Sequence, residues 1–299
     1  MERVALAMTT ESLLSESAPA KVNLTLRVLG KRADGYHELE SLVVFARVAD
    51  RLTLSPGSML DLGVDGPTAA AAGDLSDNLV LRAAQALAAR VPDLRLGRFA
   101  LTKELPVAAG IGGGSADAAA ALRLLAQLNH LGDDARLMEA ARATGADVPV
   151  CLDPRPRVMR GIGDVLSPPL ALPALPGVMV NPGVPVPTKD VFARLGLTPG
   201  EQRHDPSAID PVKLKERDAL IAYLEAQPND LEAPAVALQP VIADVLAALA
   251  GQGGCVLARM SGSGATCFGL FETDVAAGTA ANEIAAVQPA WWIAPTFFG

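Results

Sequence analysis

The chain has 299 residues, and half of them are hydrophobic, so it can bury the core of one large domain or of two ordinary ones. Its formal net charge of -8 argues against a nucleic-acid partner, because phosphate backbones select basic surfaces. The three cysteines, Cys151, Cys255 and Cys267, have neither paired nor metal-ligand spacing, which predicts a reduced, cytoplasmic protein.

Neither a secretory signal nor a membrane span is predicted. The first seventeen residues include Glu2, Glu11 and Glu16 and lack a long apolar run. The least charged stretch, residues 165–188, contains seven prolines, which a single spanning helix would not tolerate. We interpret this stretch as a connector around one short strand over residues 178–180, and we expect no membrane partner.

The first half of the chain is predicted to mix strands and helices. Alternating apolar residues predict a strand over residues 21–29, followed by a loop over 30–38 and a further apolar run over 42–48. A strand over residues 99–103 leads into a loop over 105–114. Helices are predicted over residues 78–90, 115–128 and 134–144, and Gly145 closes the last of them.

The second half begins after the proline-rich connector. Helices are predicted around residues 213–225 and 240–250, and strands over 255–260 and 266–271 flank a Gly-Ser loop. A helix over residues 274–287 precedes an apolar end at Trp291, Trp292 and Ile293. This order predicts an α+β fold of the split β-α-β kind, with two domains at residues 18–168 and 169–299.

The loop between the 99–103 strand and the 115–128 helix has the chemistry of a phosphate site. Gly110 and Gly112 to Gly114 leave room for a polyanion to reach backbone amides, and the helix beginning near Ser115 adds free N–H groups and a positive dipole end. This suits the triphosphate of ATP. A dinucleotide fingerprint would need Gly at position 115, and a Walker loop would need lysine after the glycines. The alternative is a tight turn without a ligand.

A series of motifs resembles the GHMP kinase family. In chain order they are Pro19–Leu24, Asp34–Leu39, Leu105–Ser115, Gly145–Pro149, Arg160–Asp164, Asn229–Glu232 and Met260–Ala265. Each motif is weak alone, but their order along most of the chain is specific. The likeness is greatest to the branch whose acceptor is a cytidine diphosphate conjugate of methylerythritol, used in isoprenoid precursor synthesis.

The resemblance implies a fold and a reaction. The fold has an N-terminal domain like the second domain of ribosomal protein S5 and a ferredoxin-like C-terminal domain, with the active site between them. The reaction moves the γ-phosphoryl group of ATP to the 2-hydroxyl of the acceptor. Mg²⁺ is expected with ATP, although no carboxylate cluster in the sequence identifies its ligands. We expect a monomer or a weak homodimer.

By this resemblance, Asp147 is the catalytic carboxylate that takes the proton of the acceptor hydroxyl, and Lys21 pairs with it. An ammonium beside Asp147 would keep it ionised and offset charge on the transferred phosphoryl oxygens. Asn23, on the same strand face as Lys21, is expected to orient the substrate. The alternatives are that Asp147 caps the turn before Pro149 and that Lys21 belongs to an ordinary polar strand face.

The resemblance also implies where the cytosine binds. Tyr36 would stack on the base, His37 would contact it, and Phe192 would form the opposite wall. Thr188 is expected to touch the substrate as well. Without the motif, a Tyr-His pair in a loop would be structural or solvated.

The remaining implied residues concern ATP and the closing of the site. The phosphate-loop set is Pro106, Ala109, Gly110, Ile111, Gly112, Gly113, Gly114 and Ser115. Asn78 and Lys103 are expected near the adenine, or else are surface groups. Gly262 and Ser263 are expected to close over the reacting phosphate and the substrate, or else form a plain hairpin turn.

One departure from the resembled branch concerns the end of the phosphate loop. Ser-Ser-Asn often stands there, whereas this chain has Ser115-Ala116-Asp117. The loss of one hydroxyl puts a phosphate contact in doubt. Asp117 suits the first turn of a helix, but it would repel phosphate if it faced the loop.

Three other functions compete with this reading. A related kinase of mevalonate, homoserine or a sugar would not need the Tyr36, His37 and Phe192 walls. A nucleotide-binding protein without catalysis would have no reason to retain both Lys21 and Asp147. A dinucleotide-dependent oxidoreductase is disfavoured because both glycine loops break the required spacing.

Overall fold

A computed structural model describes residues 12–71, 73–74, 77–207 and 209–299 of the chain. The expectation built on Glu2 and Glu11 lies outside these residues. Within them, no helix combines the length and the apolar character needed to cross a bilayer.

The first half of the chain forms a sheet around one long strand. β1 (Leu14–Asn23), β2 (Arg27–Lys31), β5 (Leu96–Thr102) and β6 (Arg157–Gly161) all pair antiparallel with β3 (His37–Gly57). β4 (Asp61–Asp65) pairs parallel with β5, and β7 (Val165–Leu166) pairs with β6. β3 can serve all these neighbours because its 21 residues offer different segments to each of them.

The predicted strand over residues 21–29 is divided in the structure. β1 ends at Asn23 and β2 begins at Arg27, so the alternating pattern spans two strands. The expectation of one half-buried strand was wrong, because Lys21 and Thr25 are buried as fully as the apolar residues between them. A core covers the Val22 side, and on the other side Asn23 Nδ2 donates to Ser41 Oγ at 2.7 Å.

Four helices of the first half follow in the order α1 (Leu79–Ala88), α2 (Gly113–Leu128), α3 (Ala135–Thr144) and α4 (Val148–Leu152) within the described residues. The first three confirm the predicted helices, and α2 starts two residues earlier than expected. Asp134 caps α3 by accepting the N–H of Arg136 at 2.9 Å. Gly145 ends α3 with an extended φ of 178°, which any residue could adopt.

The second half forms an antiparallel sheet of β8 (Leu175–Asn181), β9 (Cys255–Met260), β10 (Cys267–Phe271) and β11 (Trp292–Phe298). Its helices are α5 (Thr188–Ala193), α6 (Arg217–Ala226), α7 (Glu232–Leu238), α8 (Val241–Ala250) and α9 (Asp274–Val287). The strands lie in the order β11-β8-β10-β9. Helices connect β8 to β9 and β10 to β11, which is the split β-α-β arrangement predicted from the sequence.

The two sheets are joined where Phe298 of β11 pairs with Ala46 of β3. One apolar core lies within the first half, around Phe99 and Leu125, and a second lies mostly within the second half, around Ile242. A third core contains residues of both halves, including Leu24 and Phe268. The division at residue 168 stays a prediction, and the third core shows that the two halves pack closely together.

Candidate active site

A cavity of about 490 Å³ opens where the end of β1, the loop after β5 and the loop between β9 and β10 meet. Many residues that the sequence analysis singled out line it together. They are Lys21, Asn23, Ala109, Gly110, Gly112, Gly113, Gly114, Ser115, Asp147, Thr188, Phe192, Gly262 and Ser263. Residues from both halves of the chain therefore form its walls.

One wall of this cavity is the glycine loop that leads into α2. Gly110 and Gly112 have φ values of +76° and +62°, in the left-handed region that favours glycine. A Cβ on Gly110 would lie 2.6 Å from the carbonyl oxygen of Ser261. The first N–H groups of α2, from Gly113 onward, have no partner within the helix. This wall is therefore a cradle of amides at a positive helix end, which suits a polyphosphate.

Beside the cradle, Lys21 and Asp147 form an ion pair. Lys21 Nζ lies 3.0 Å from Asp147 Oδ2 and 3.4 Å from Asn23 Oδ1. The lysine is 4% exposed, whereas the Asp147 side chain is 36% exposed. Asp147 directly precedes α4, but its side chain makes no capping hydrogen bond there. The capping alternative thus has no support in the structure, and the carboxylate is available to a ligand in the cavity.

Backbone contacts fix the end of β1 against both loops. The Lys21 N–H donates to the carbonyl oxygen of Ile111 at 2.9 Å. Ser261 Oγ accepts the N–H of Asn23 at 3.1 Å and donates to the carbonyl oxygen of Gly110 at 3.1 Å. Ile111 itself points into the shared core, so the structure makes it an anchor of the loop rather than part of the cavity wall.

The second small-residue loop, residues 261–264, packs directly on the phosphate loop. A Cβ on Gly262 would lie 2.6 Å from the carbonyl oxygen of Gly110. The hydroxyls of Thr188 and Ser263 are 2.8 Å apart, which connects this loop to α5. These contacts go beyond those of a plain hairpin turn, because the loop forms the floor of the cavity between the two halves.

Asn229 is a supporting residue to which the sequence analysis assigned no role. Its amide nitrogen donates to the carbonyl oxygens of Met260 at 2.8 Å and Gly262 at 2.9 Å. Two neighbours act similarly: Asp230 accepts the N–H of Val28 at 2.8 Å, and Glu232 accepts that of Met260 at 2.8 Å. The motif at residues 229–232 was the signal in the sequence, because its three residues with hydrogen-bonding side chains flank Leu231, which is buried.

A second cavity, of about 530 Å³, contains the residues predicted to hold a base. Tyr36, His37 and Phe192 all line it, and Thr188 and Phe192 line the first cavity as well. The His37 and Phe192 rings stack, with centroids 4.6 Å apart and planes inclined by 28°. Tyr36 is 61% exposed. The three residues are therefore brought together, but Phe192 lies against His37 instead of facing Tyr36 across an open slot.

His37 keeps an unused hydrogen-bonding atom at this second cavity. Its Nε2 is buried and has no hydrogen-bond partner among the described residues. Burial, with a smaller contribution from the nearby Lys31 ammonium, lowers the pKa of His37 below its ordinary value. Because Nε2 has no exposed surface here, a ligand would reach it only after the His37 ring moved.

Four residues expected at ATP do not reach the first cavity. The ammonium of Lys103 is buried against Asp50 and lies 2.8 Å from Asp117, so its side chain is unavailable to adenine. Asn78 caps α1 by accepting the N–H of Val80 at 2.9 Å. Pro106 and Ile111 also stand outside the lining. Asp117 faces the buried Lys103 rather than the phosphate loop surface, so it does not oppose a phosphate there directly.

A buried carboxylate supports the motif at residues 160–164. Glu40 accepts from Arg160 Nε at 2.9 Å and from the N–H of Ser207 at 2.9 Å. Burial alone would raise the pKa of Glu40, but the Ser207 hydrogen bonds and the Arg160 guanidinium outweigh it and hold that pKa below its ordinary value. This ion pair secures the end of β6, after which Ile162 lines both cavities.

The amide cradle, the lysine-carboxylate pair and the adjoining second cavity together define a phosphoryl-transfer site on an α+β fold. Profiles of the families described as "GHMP kinases N terminal domain" and "GHMP kinases C terminal" match residues 78–153 and 213–290. The chain belongs to the GHMP kinase family, and it is a small-molecule kinase.

Individual relatives give more detail. Over 288 residues the chain is 60% identical to a Methylorubrum extorquens protein named 4-diphosphocytidyl-2-C-methyl-D-erythritol kinase, covering 95% of this chain and 99% of that relative. A crystal structure of 4-(cytidine 5'-diphospho)-2C-methyl-D-erythritol kinase is 35% identical, with a TM-score of 0.75 over 96% of this chain and 100% of that one. Homoserine kinase from Cytophaga hutchinsonii, at 19% identity and a TM-score of 0.67 over 97% and 96%, shares the fold.

Proposed function

We propose that this protein transfers the γ-phosphoryl group of ATP to the 2-hydroxyl of 4-diphosphocytidyl-2-C-methyl-D-erythritol, giving the 2-phosphate and ADP. This reaction belongs to the non-mevalonate route to isoprenoid precursors. The observation that carries the proposal is the Lys21–Asp147 ion pair, 3.0 Å long, on the cavity wall beside the amide cradle. The 60% identity to a relative named for this reaction supports the choice of acceptor.

ATP fits the cradle because side chains are missing where its phosphates would lie. The N–H groups of Gly113, Gly114 and Ser115 and the positive end of α2 would hold the polyphosphate. Within the described residues, no cluster of three histidine, cysteine, aspartate or glutamate side chains could hold a metal ion. Mg²⁺ would therefore be held mainly by the phosphates of ATP, where it neutralises charge that develops during transfer.

The ion pair accounts for the chemical step. Asp147 accepts the proton of the acceptor hydroxyl while that oxygen forms a bond to the γ-phosphorus and the bond to the ADP oxygen breaks. An oriented base typically contributes ~10²–10⁴-fold to such a step. Lys21 holds the Asp147 carboxylate in place through the ion pair and offsets negative charge that develops on the phosphoryl oxygens. Asn23, hydrogen-bonded to Lys21, orients the acceptor.

The second cavity accounts for the choice of acceptor. The exposed Tyr36 ring and the stacked His37–Phe192 pair would form the walls around a cytosine. Thr188 and Ser263 lie between this cavity and the phosphate loop, so they would contact the middle of an elongated acceptor. Mevalonate, homoserine and sugars have no base to place there.

The test is ADP release from ATP and Mg²⁺ with four acceptors compared side by side: 4-diphosphocytidyl-2-C-methyl-D-erythritol, mevalonate, homoserine and galactose. We expect turnover with the cytidyl acceptor alone, and ³¹P NMR of the product should show a new phosphate monoester on a tertiary carbon. Turnover with another acceptor would support the phosphoryl transfer but refute the proposed substrate. ATP binding without turnover on any acceptor would favour a noncatalytic nucleotide-binding protein.

A further inference from the structure

Three charged side chains meet beneath the phosphate loop. Lys103 is the first residue after β5, and its ammonium contacts Asp50 of β3 and lies 2.8 Å from Asp117 of α2. Lys103, Asp50 and Asp117 are only 4%, 1% and 3% exposed. This buried cluster lies outside the cavity lining, so no ligand there would touch it.

The buried cluster holds both ends of the phosphate loop. Asp50 Oδ1 accepts the N–H groups of Glu104 at 2.6 Å and Leu105 at 2.9 Å, where the loop begins. Asp117 stands one turn into α2, where the loop ends. A Cβ on Gly113 would lie 3.6 Å from Lys103 Nζ and 3.8 Å from Asp50 Oδ2. The cluster thus lies directly under the first residue of α2.

The charge balance of the cluster is poor for stability alone. One ammonium faces two carboxylates, and Asp117 Oδ1 is buried without a hydrogen-bond partner among the described residues. Buried ion pairs often cost as much in desolvation as they return in attraction, and an apolar replacement is often as stable. In some proteins such buried ionic groups are retained because they specify one geometry.

We infer that the Lys103–Asp50–Asp117 cluster positions the N-terminus of α2 for the phosphates of ATP, and that Asp117 is a positioning residue of the kinase. The inference rests on the proposed binding of ATP at this loop. The residues act through the N–H groups of Gly113 to Ser115, whose place relative to β3 and β5 is set by the ion pairs. A small shift of those donors weakens several phosphate contacts at once.

The test measures ATP dissociation constants by calorimetry, together with the KM for the cytidyl acceptor. Asp117→Ala should weaken ATP binding by about 10-fold or more and leave the acceptor KM unchanged. Asp117→Asn retains an oxygen that accepts from Lys103, so it should bind ATP nearly as well as the wild type. Asp117→Leu has similar bulk but no oxygen to accept from Lys103, so it should bind ATP as weakly as Asp117→Ala, whereas wild-type affinity in this variant would show that only bulk matters.

A matched control lies at the other end of the same helix. Asn129 accepts the N–H of Arg95 at 2.7 Å and donates to the carbonyl oxygen of Leu125 at 2.8 Å. Asn129→Ala should lower the melting temperature without changing ATP affinity, because its contacts lie ~18 Å along α2 from Asp117.

The remaining outcomes of the ATP-binding experiment each support or overturn the positioning inference. Equal ATP affinity in wild type and Asp117→Ala would overturn the positioning inference and leave the proposed function intact. A wild-type protein that binds no ATP would overturn both. If Asp117→Ala fails to fold, Asp50→Asn replaces it, since an amide nitrogen facing Lys103 should displace the cluster and weaken ATP binding. Unchanged affinity in that folded variant would contradict the inference.

Discussion

Lys21 and Asp147 make a 3.0 Å ion pair between the end of β1 and the start of α4, and Arg123 of α2 holds these two elements together. The Arg123 guanidinium donates to the carbonyl oxygen of Cys151 in α4 at 2.8 Å and to that of Ser17 in β1 at 2.7 Å. The helix whose N-terminus forms the amide cradle therefore also aligns the ion pair that we propose to be catalytic.

We expect Asp147→Asn to lower kcat by ~10²–10⁴-fold, because the acceptor hydroxyl loses its base. ATP affinity should not change, since the side chain does not contact the amide cradle. ADP release at saturating substrates and calorimetry with ATP measure the two effects. Asp153→Asn, at the other end of α4, is the control: its carboxylate pairs with Arg155 and Arg157 and should leave kcat unaltered. Full turnover by Asp147→Asn would refute the assignment.

Lys21→Met should reduce kcat to a comparable degree, because the methionine fills the buried stem but removes the ammonium. Residues that act as one unit are non-additive. The double variant with Asp147→Asn should therefore be no slower than the slower single variant. Rate losses that multiply in the double variant would show that the two side chains act independently.

Phe192→Ala should raise the KM for the cytidyl acceptor and leave the KM for ATP unchanged. Stacking on a base is worth about 1–3 kcal/mol, which corresponds to about 5- to 150-fold. His37 also loses its stacking partner in this variant. Phe192→Leu keeps most of the side-chain volume but has no aromatic ring. If its acceptor KM is as high as that of Phe192→Ala, the ring itself is needed, which indicates stacking on the base. A wild-type acceptor KM in both variants would exclude Phe192 from substrate binding.

The stability of the fold should depend on pH through Asp117. Burial raises the pKa of Asp117 from 3.8 to about 7. The Lys103 ammonium lowers this pKa and the Asp50 charge raises it, but burial is the largest effect. Between these values the native protein holds a proton that the unfolded chain has released. The free energy of unfolding should therefore fall as pH rises from 3.8 to about 7 and change no further through Asp117 above that.

Urea unfolding at several pH values measures this dependence, and Asp117→Asn provides the reference because its side chain does not titrate. The difference in unfolding free energy between wild type and variant should decline across the window and then become constant. Parallel profiles for the two proteins would show that Asp117 keeps an ordinary pKa.

Elements whose patterns are not interrupted by proline were predictable from the sequence. β9 and α9 begin and end where the patterns placed them, at residues 255–260 and 274–287. Short elements containing or adjoining proline were not: α5 begins directly after Pro187, and α7 includes Pro234. The first part of β1 is polar and contains Pro19, and it is extended because β3 pairs with it, as Leu14 does with Leu54.

The candidate site was predictable where its residues stand in motifs, as Lys21, Gly112 and Asp147 do. The burial of Lys103 was not, because its partner Asp50 lies 53 residues earlier, on another strand. No local pattern reveals the pairing of Lys103 with Asp50, because the residues next to Lys103 in the sequence say nothing about a carboxylate on β3. The stacking of His37 on Phe192 likewise depends on the approach of α5 to the β2–β3 turn.

The backbone contact between Gly110 and Gly262 limits how this enzyme can change. A Cβ on Gly110 or on Gly262 would stand 2.6 Å from a carbonyl oxygen of the opposite loop, so main chain packs directly on main chain at these two positions. A larger residue at either glycine would separate the phosphate cradle from its support. We therefore expect new acceptor preferences to arise at other positions, such as Tyr36 and α5, while these two glycines stay unchanged.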